Sequence, residues 1–132
     1  QEIGDRSGEG TTLNNISQIH DARGEYDQAL SYLTQSLAIR KEIGDTSGLC
    51  VTLFNIGHIR LRHKRDARGA FEAWLEAYRI ASKIQLAQVL EALEDLAPQL
   101  GLEGGLDGWA MLDKAVAEHG IEAVIKLPDS DE

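Results

Sequence analysis

The chain has 132 residues, 42% of them hydrophobic and 27% charged, with a net charge of −9, one cysteine and two prolines. That length suits one domain with a real core, the lone Cys50 excludes an internal disulfide, and the acid excess disfavours a phosphate backbone as partner. No apolar run reaches the roughly 20 residues that a membrane helix needs, so neither nucleic acid nor membrane is expected as partner, and a cytoplasmic setting is.

In chain order, the hydrophobic spacing predicts helices near 8–22, 25–41, 48–63, 67–83, 86–99 and 108–119. Leu13, Ile16, Ser17 and His20 follow i, i+3, i+4, i+7, the stripe of a helix with one buried face. Gly24 offers a tight turn, and Tyr26, Ala29, Leu30, Leu33 and Leu37 form a second stripe. Gly44 and Gly48 then interrupt the pattern, with Asp5 or Ser7 and Asp45 or Ser47 available as N-caps. Leu53, Ile56, Gly57 and Arg60 resume the first stripe. Lys64-Arg65-Asp66 makes the next turn, and Ala70, Phe71, Trp74, Ala77, Tyr78 and Ala81 resume the second. Leu93, Leu96, Ala97 and Leu100 form a third first-helix stripe that Pro98 should kink or stop. A Gly-rich stretch, 101–108, precedes a short helix carrying Trp109, Leu112 and Val116, and the acidic tail 121–132 is expected to fray from Pro128.

Beneath this succession lies an internal repeat. Glu2-Ile3-Gly4-Asp5 recurs as Glu42-Ile43-Gly44-Asp45, Ser7-Gly8 as Ser47-Gly48, Thr12-Leu13 as Thr52-Leu53, and Asn15-Ile16 as Asn55-Ile56, with Ile19 matching Ile59. Each pair is 40 residues apart. The second-helix stripes align with one extra residue before Ala70, which pairs Ala29, Leu33 and Ser36 with Ala70, Trp74 and Ala77. Aligning Asp21-Ala22-Arg23-Gly24 with Asp66-Ala67-Arg68-Gly69 instead would put Trp74 where a small residue is needed. The chain is thus read as two helix hairpins, 2–41 and 42–84, a degenerate third unit or cap over 85–120, and the tail.

A large apolar residue, another three on, then a small one (Leu13, Ile16, Ser17; Leu53, Ile56, Gly57) resembles the first helix of tetratricopeptide repeats. Their second helix is similar to Ala29, Leu33, Ser36 and to Ala70, Trp74, Ala77. Small residues serve where helix backbones cross closely. The 40-residue length, with Leu-Asn-Asn-Ile and Gly-Glu-Tyr stretches, looks like bacterial long-repeat arrays. The resemblance implies an all-α, right-handed superhelical stack of antiparallel helix hairpins, about six helices, the last pair degenerate. It also implies the C-terminal part of a longer array, whose apolar N-terminal hairpin face could pair two copies as a homodimer.

The resemblance further implies a protein or peptide partner in a concave groove lined by first helices. On that face fall Asn15 and Gln18 in the first unit and Asn55, His58 and Arg62 in the second, with Asn14 and Phe54 on the flank and Glu91, Glu94 and Asp95 in the third. An amide both donates and accepts, so Asn15 and Asn55 suit an extended peptide backbone. The alternative function is a regulatory or oligomerising segment of a larger bacterial signalling protein, an ATPase, caspase-like protease or transcription regulator.

Charge is segregated: acids and bases cancel over residues 1–84, while 85–132 hold eleven acids against Lys114 and Lys126. The basic cluster Arg60, Arg62, Lys64, Arg65 and Arg68 reads as a solvated turn. No catalysis, metal or cofactor is expected. His20, His58, His63 and His119 lack a ligand spacing, with His20 read as a packed core residue. Cys50 has no base beside it in sequence and reads as a small buried residue, and the Gly-rich stretch lacks the Lys-Ser/Thr of a phosphate loop.

Overall fold

The structure, a computed structural model, describes residues 3–124. It consists of α1 (Ile3–Ala22), α2 (Tyr26–Ile43), α3 (Thr46–Arg62), α4 (Ala67–Ile84), α5 (Ala87–Leu96), a 3₁₀ turn (Ala97–Leu100), α6 (Leu106–His119) and α7 (Ile121–Val124). Among the described residues there is no strand. Helices pack on their chain neighbours, α1 on α2 and α3 on α4, with α3 also against α2, so the fold is an all-α stack of helix hairpins.

The turns explain the repeat's one irregularity. The chain leaves α1 at Ala22 and α3 at Arg62, 40 residues apart, but three residues lead into α2 and four into α4. Gly24 (φ 76°) and Arg65 (φ 54°) take the same left-handed step, and Glu25 and Asp66 occupy the N-cap positions that follow. The same handedness returns at the next junction, Gly44 (φ 72°) after α2 and Gln85 (φ 58°) after α4. The added residue therefore lies in the α3–α4 turn, which places Asp66 opposite Glu25 rather than Asp21.

Each hairpin closes through its small residues. In the first, the buried Ser36 hydroxyl donates to the Gly10 carbonyl at 2.9 Å. In the second, the Cys50 thiol donates to the Ala77 carbonyl at 3.1 Å, across the same crossing but in the opposite sense. Gly57 lets the Trp74 indole lie against the α3 backbone, where Nε1 donates to the Phe54 carbonyl at 3.1 Å. The core around it comprises Ala29, Leu33, Leu53, Ile56, Ala70, Trp74, Leu75, Ala77 and Ala81, all 5% exposed or less.

The third unit departs from the hairpin pattern. Leu93, Leu96 and Ala97 are buried as the repeat requires, and the α-helix gives way to a tight turn just before Pro98. The second helix, α6, brings Trp109 onto the core instead of a small residue. Its ring is 0% exposed, lies 6.4 Å from Trp74 and donates from Nε1 to the Leu93 carbonyl at 2.7 Å. Gly108 is required for this entry, because a Cβ there would collide with the backbone of Glu103. α6 thus packs on α4 and α5 through an indole.

Several expectations need correction. Seven α-helices are present among the described residues rather than six, because α7 forms inside the segment read as tail. It is tied to α4 by the Arg68–Glu122 ion pair. Asp5 and Ser7 lie within α1, whose backbone is already helical from Ile3, so neither stands at its N-cap position. Their counterparts split: Asp45 caps α3, accepting from Gly48 N at 3.0 Å, whereas Ser47 and Gly48 lie inside the helix. The N-cap works at Asp45 because Gly44 turns left-handed just before it. Leu13 and Ile16 are only half-buried, while Leu53 and Ile56 are buried, because α3 is covered by α2 on a side where α1 has no neighbour among the described residues. The frayed end expected from Pro128 lies outside the described residues.

Candidate functional site

The junction between the two hairpins is held by contacts that absorb much of the basic cluster. Lys64 in the α3–α4 turn pairs with Asp27 of α2 at 2.5 Å. His63 stacks on Tyr26, rings 3.8 Å apart and nearly parallel, and its Nε2 lies 3.8 Å from Asp21 Oδ1. Arg68 bridges Glu122 and Glu72, and Arg60 reaches the Gly69 carbonyl at 3.4 Å. These side chains are fasteners between elements rather than a free cationic patch; Arg62 and Arg65 remain exposed. On the far side of the junction, the 9% exposed Arg40 pairs with the α3 cap Asp45 and with Thr11 of α1.

Where α1 and α3 come side by side, a cavity of about 250 Å³ opens, lined by Ser17, Gln18, Asp21, Leu33, Asn55, His58 and Ile59. Leu33 and Ile59 give it an apolar wall, and the remaining five residues give it a polar rim. Ser17 spends its proton on the Asn14 carbonyl at 2.6 Å, so toward the cavity its oxygen can only accept. His58 is wedged edge-on between Phe54 at 4.6 Å and Trp74 at 5.4 Å. Burial, and secondarily the charge of Arg62, pulls its pKa below the usual imidazole value. The ring is therefore neutral at neutral pH.

Of the residues expected on the groove, the structure brings Gln18, Asn55 and His58 into one cavity, with Phe54 packed behind His58. Asn14 is half-buried beside it, its Oδ1 covered and without a hydrogen bond. Asn15 is exposed on α1, and Arg62 is exposed at the end of α3. Glu94 lies elsewhere, over the Gly-rich loop, where it lines a second hollow of about 550 Å³ with Pro98, Gly101, Leu102, Glu103, Gly104 and Gly105. Glu91 and Asp95 are exposed on α5 and line neither. Sequence reasoning missed Asp21, which sits three residues after Gln18 and four after Ser17 and so shares their helix face. That spacing is the signal that could have found it.

His20, expected on the core stripe, is only partly covered; it stacks on Tyr32 and bonds Glu25 at 2.9 Å. Cys50 is buried, and burial pushes its thiol up to about 11, with the charge of Glu76 adding to the rise, so at neutral pH it is protonated and unreactive. Among the described residues no group of three or more His, Cys, Asp or Glu side chains is placed to hold a metal ion. No helix of the described residues is long and apolar enough to cross a membrane.

A stack of helix hairpins with a groove between successive first helices defines the class, a helical-repeat scaffold. Residues 1–42 match the family model described as tetratricopeptide repeat, a family that generally mediates protein–protein interaction. No curated protein and no solved structure matches the chain.

Proposed function

We propose that the chain is a non-catalytic scaffold that holds a protein partner, through an extended peptide segment, in the groove between α1 and α3. The observation that carries this reading is the cavity where Gln18, Asn55 and His58, contributed by two repeats, converge on an apolar floor. Amide side chains at successive repeats suit a peptide backbone, which offers donors and acceptors alternately. Asn15 and Arg62, exposed to either side, extend the groove beyond the cavity.

Selection from a random displayed peptide library, run in parallel on the wild type and on an Asn15→Ala, Asn55→Ala, Arg62→Ala variant, tests it. Peptides retained by the wild type and lost by the variant support the groove. Equal retention by both removes it.

The outer face of α1 supports a second reading, self-association. Ile19 is 54% exposed, whereas its repeat mate Ile59 is 6% exposed beside Leu33 of α2. Pairing of two copies through this face would appear in sedimentation velocity as a dimer that Ile19→Lys abolishes. A chain that stays monomeric at high micromolar concentration ends that reading.

A further inference from the structure

Among the residues that line the cavity between α1 and α3, Asp21 supplies the formal charge, and it is negative. Ser17 has no proton to offer it, His58 is neutral, and Asp21 contributes a carboxylate. One oxygen of that carboxylate, Oδ1, is covered and receives no hydrogen bond. His63 Nε2 stands 3.8 Å from that oxygen, beyond hydrogen-bonding reach, with its ring held against Tyr26. The rest of the Asp21 side chain is open, 42% exposed. The carboxylate therefore has one covered oxygen that no donor reaches, while its open part presents negative charge at the wall of a partly enclosed hollow, where a donor entering the cavity can meet it.

We infer that this cavity is a subsite for an arginine side chain of the bound peptide, with the guanidinium against Asp21. The inference rests on the peptide-groove reading and adds what the groove selects. The aliphatic stem lies along Leu33 and Ile59, and the head meets Asp21 together with the acceptor oxygens of Ser17, Gln18 and Asn55. A planar cation with five N–H donors matches several acceptors at once, where the compact ammonium of lysine satisfies fewer. The volume of about 250 Å³ admits one long side chain rather than a folded segment. Arg62 lies on the His58 side and is exposed, so it can turn away into solvent.

Four acetylated heptapeptides of alternating alanine and serine, with arginine, lysine, norleucine or glutamate at the centre, provide the test. Each is titrated into the protein at low salt while backbone amide signals are followed by NMR. The arginine peptide is expected to bind at least about tenfold more tightly than the norleucine and glutamate peptides, more tightly than the lysine peptide, and to shift residues 17–21 and 55–59. Asp21→Asn should reduce its affinity about tenfold or more, the scale of a charge-assisted hydrogen bond. Gln18→Ala, on the exposed surface of α1, should weaken it by a smaller factor without altering the thermal melt. Equal affinity for arginine and norleucine, or an Asp21→Asn variant that melts as the wild type and binds arginine unchanged, overturns the inference. Selected peptides that lose binding on Asn55→Ala yet show no arginine enrichment overturn it too, while leaving the groove standing.

Discussion

Replacing Gly57 by alanine separates the helix-propensity and packing contributions at the hairpin crossing. Mid-helix, Gly→Ala normally stabilises by about 1 kcal/mol, because alanine loses less backbone entropy on folding. At Gly57 the added methyl would lie 2.5 Å from Cε2 and 2.7 Å from Cδ1 of Trp74, about 1 Å inside ordinary carbon contact. The indole cannot swing aside easily. It is 0% exposed, its Nε1 is bonded to the Phe54 carbonyl, and Phe71, His58 and Trp109 pack around it. Overpacking of this kind costs typically about 1–3 kcal/mol, and loss of the indole hydrogen bond adds roughly 1 kcal/mol. The expected net effect is destabilisation by about 1–3 kcal/mol. Gly8→Ala is the internal control, since nothing lies within 4 Å of a Cβ there, and it should stabilise by a few tenths to about 1 kcal/mol. Urea unfolding followed by tryptophan fluorescence measures both, because Trp74 and Trp109 are the chain's two tryptophans and both are buried. A Gly57→Ala protein as stable as the wild type, or as stabilised as Gly8→Ala, would refute the close crossing.

Further outcomes follow from the turns and the buried titratable groups. Arg65→Gly and Gln85→Gly should each stabilise by roughly 0.5–1 kcal/mol in urea melts, because both side chains sit at positive φ where the first repeat has Gly24 and Gly44. Between pH 9.0, the ordinary thiol value, and about 11 the unfolded chain releases the Cys50 proton while the folded chain keeps it, so stability should fall as pH rises through that window. Cys50→Ala should flatten that slope, and in the native protein at neutral pH the thiol should react with a disulfide reagent far more slowly than in urea. For His58 the sign is reversed: below about 6.5 the unfolded chain takes up a proton that the folded chain resists, so stability should fall on acidification, by less in His58→Gln.

The hairpins were readable because two periodicities coincide, a helical one within each element and a 40-residue one between elements. Small residues at Ser17, Gly57, Ser36 and Ala77 gave the crossings, since only close backbone approach demands them there. Helix starts were less legible: the sequence around Asp5 repeats that around Asp45, yet Asp5 lies inside α1 whereas Asp45 follows a left-handed glycine and caps α3. The packing of α6 was less legible because Trp109 buries into the core from a position with no counterpart in the 41-residue register of the second helices. At the candidate site, Gln18, Asn55 and His58 emerged from helical geometry. Glu94 did not join them because its environment depends on where the Gly-rich loop 101–105 folds, a non-local matter that spacing does not encode. The pairings made by the basic cluster were hidden for a similar reason, since the partners of Lys64 and Arg68, Asp27 and Glu122, are distant in sequence.

The central claim is that recognition takes place on the faces of α1 and α3 that line the cavity between the repeats. Amide chemical-shift mapping of any peptide selected from an unbiased library locates its contact surface directly. The account predicts perturbations concentrated between residues 15 and 21 on α1 and 51 and 62 on α3, with α2 and the outer face of α4 silent. Perturbations centred on α2, or on the outer surface of α6 and α7, would contradict it.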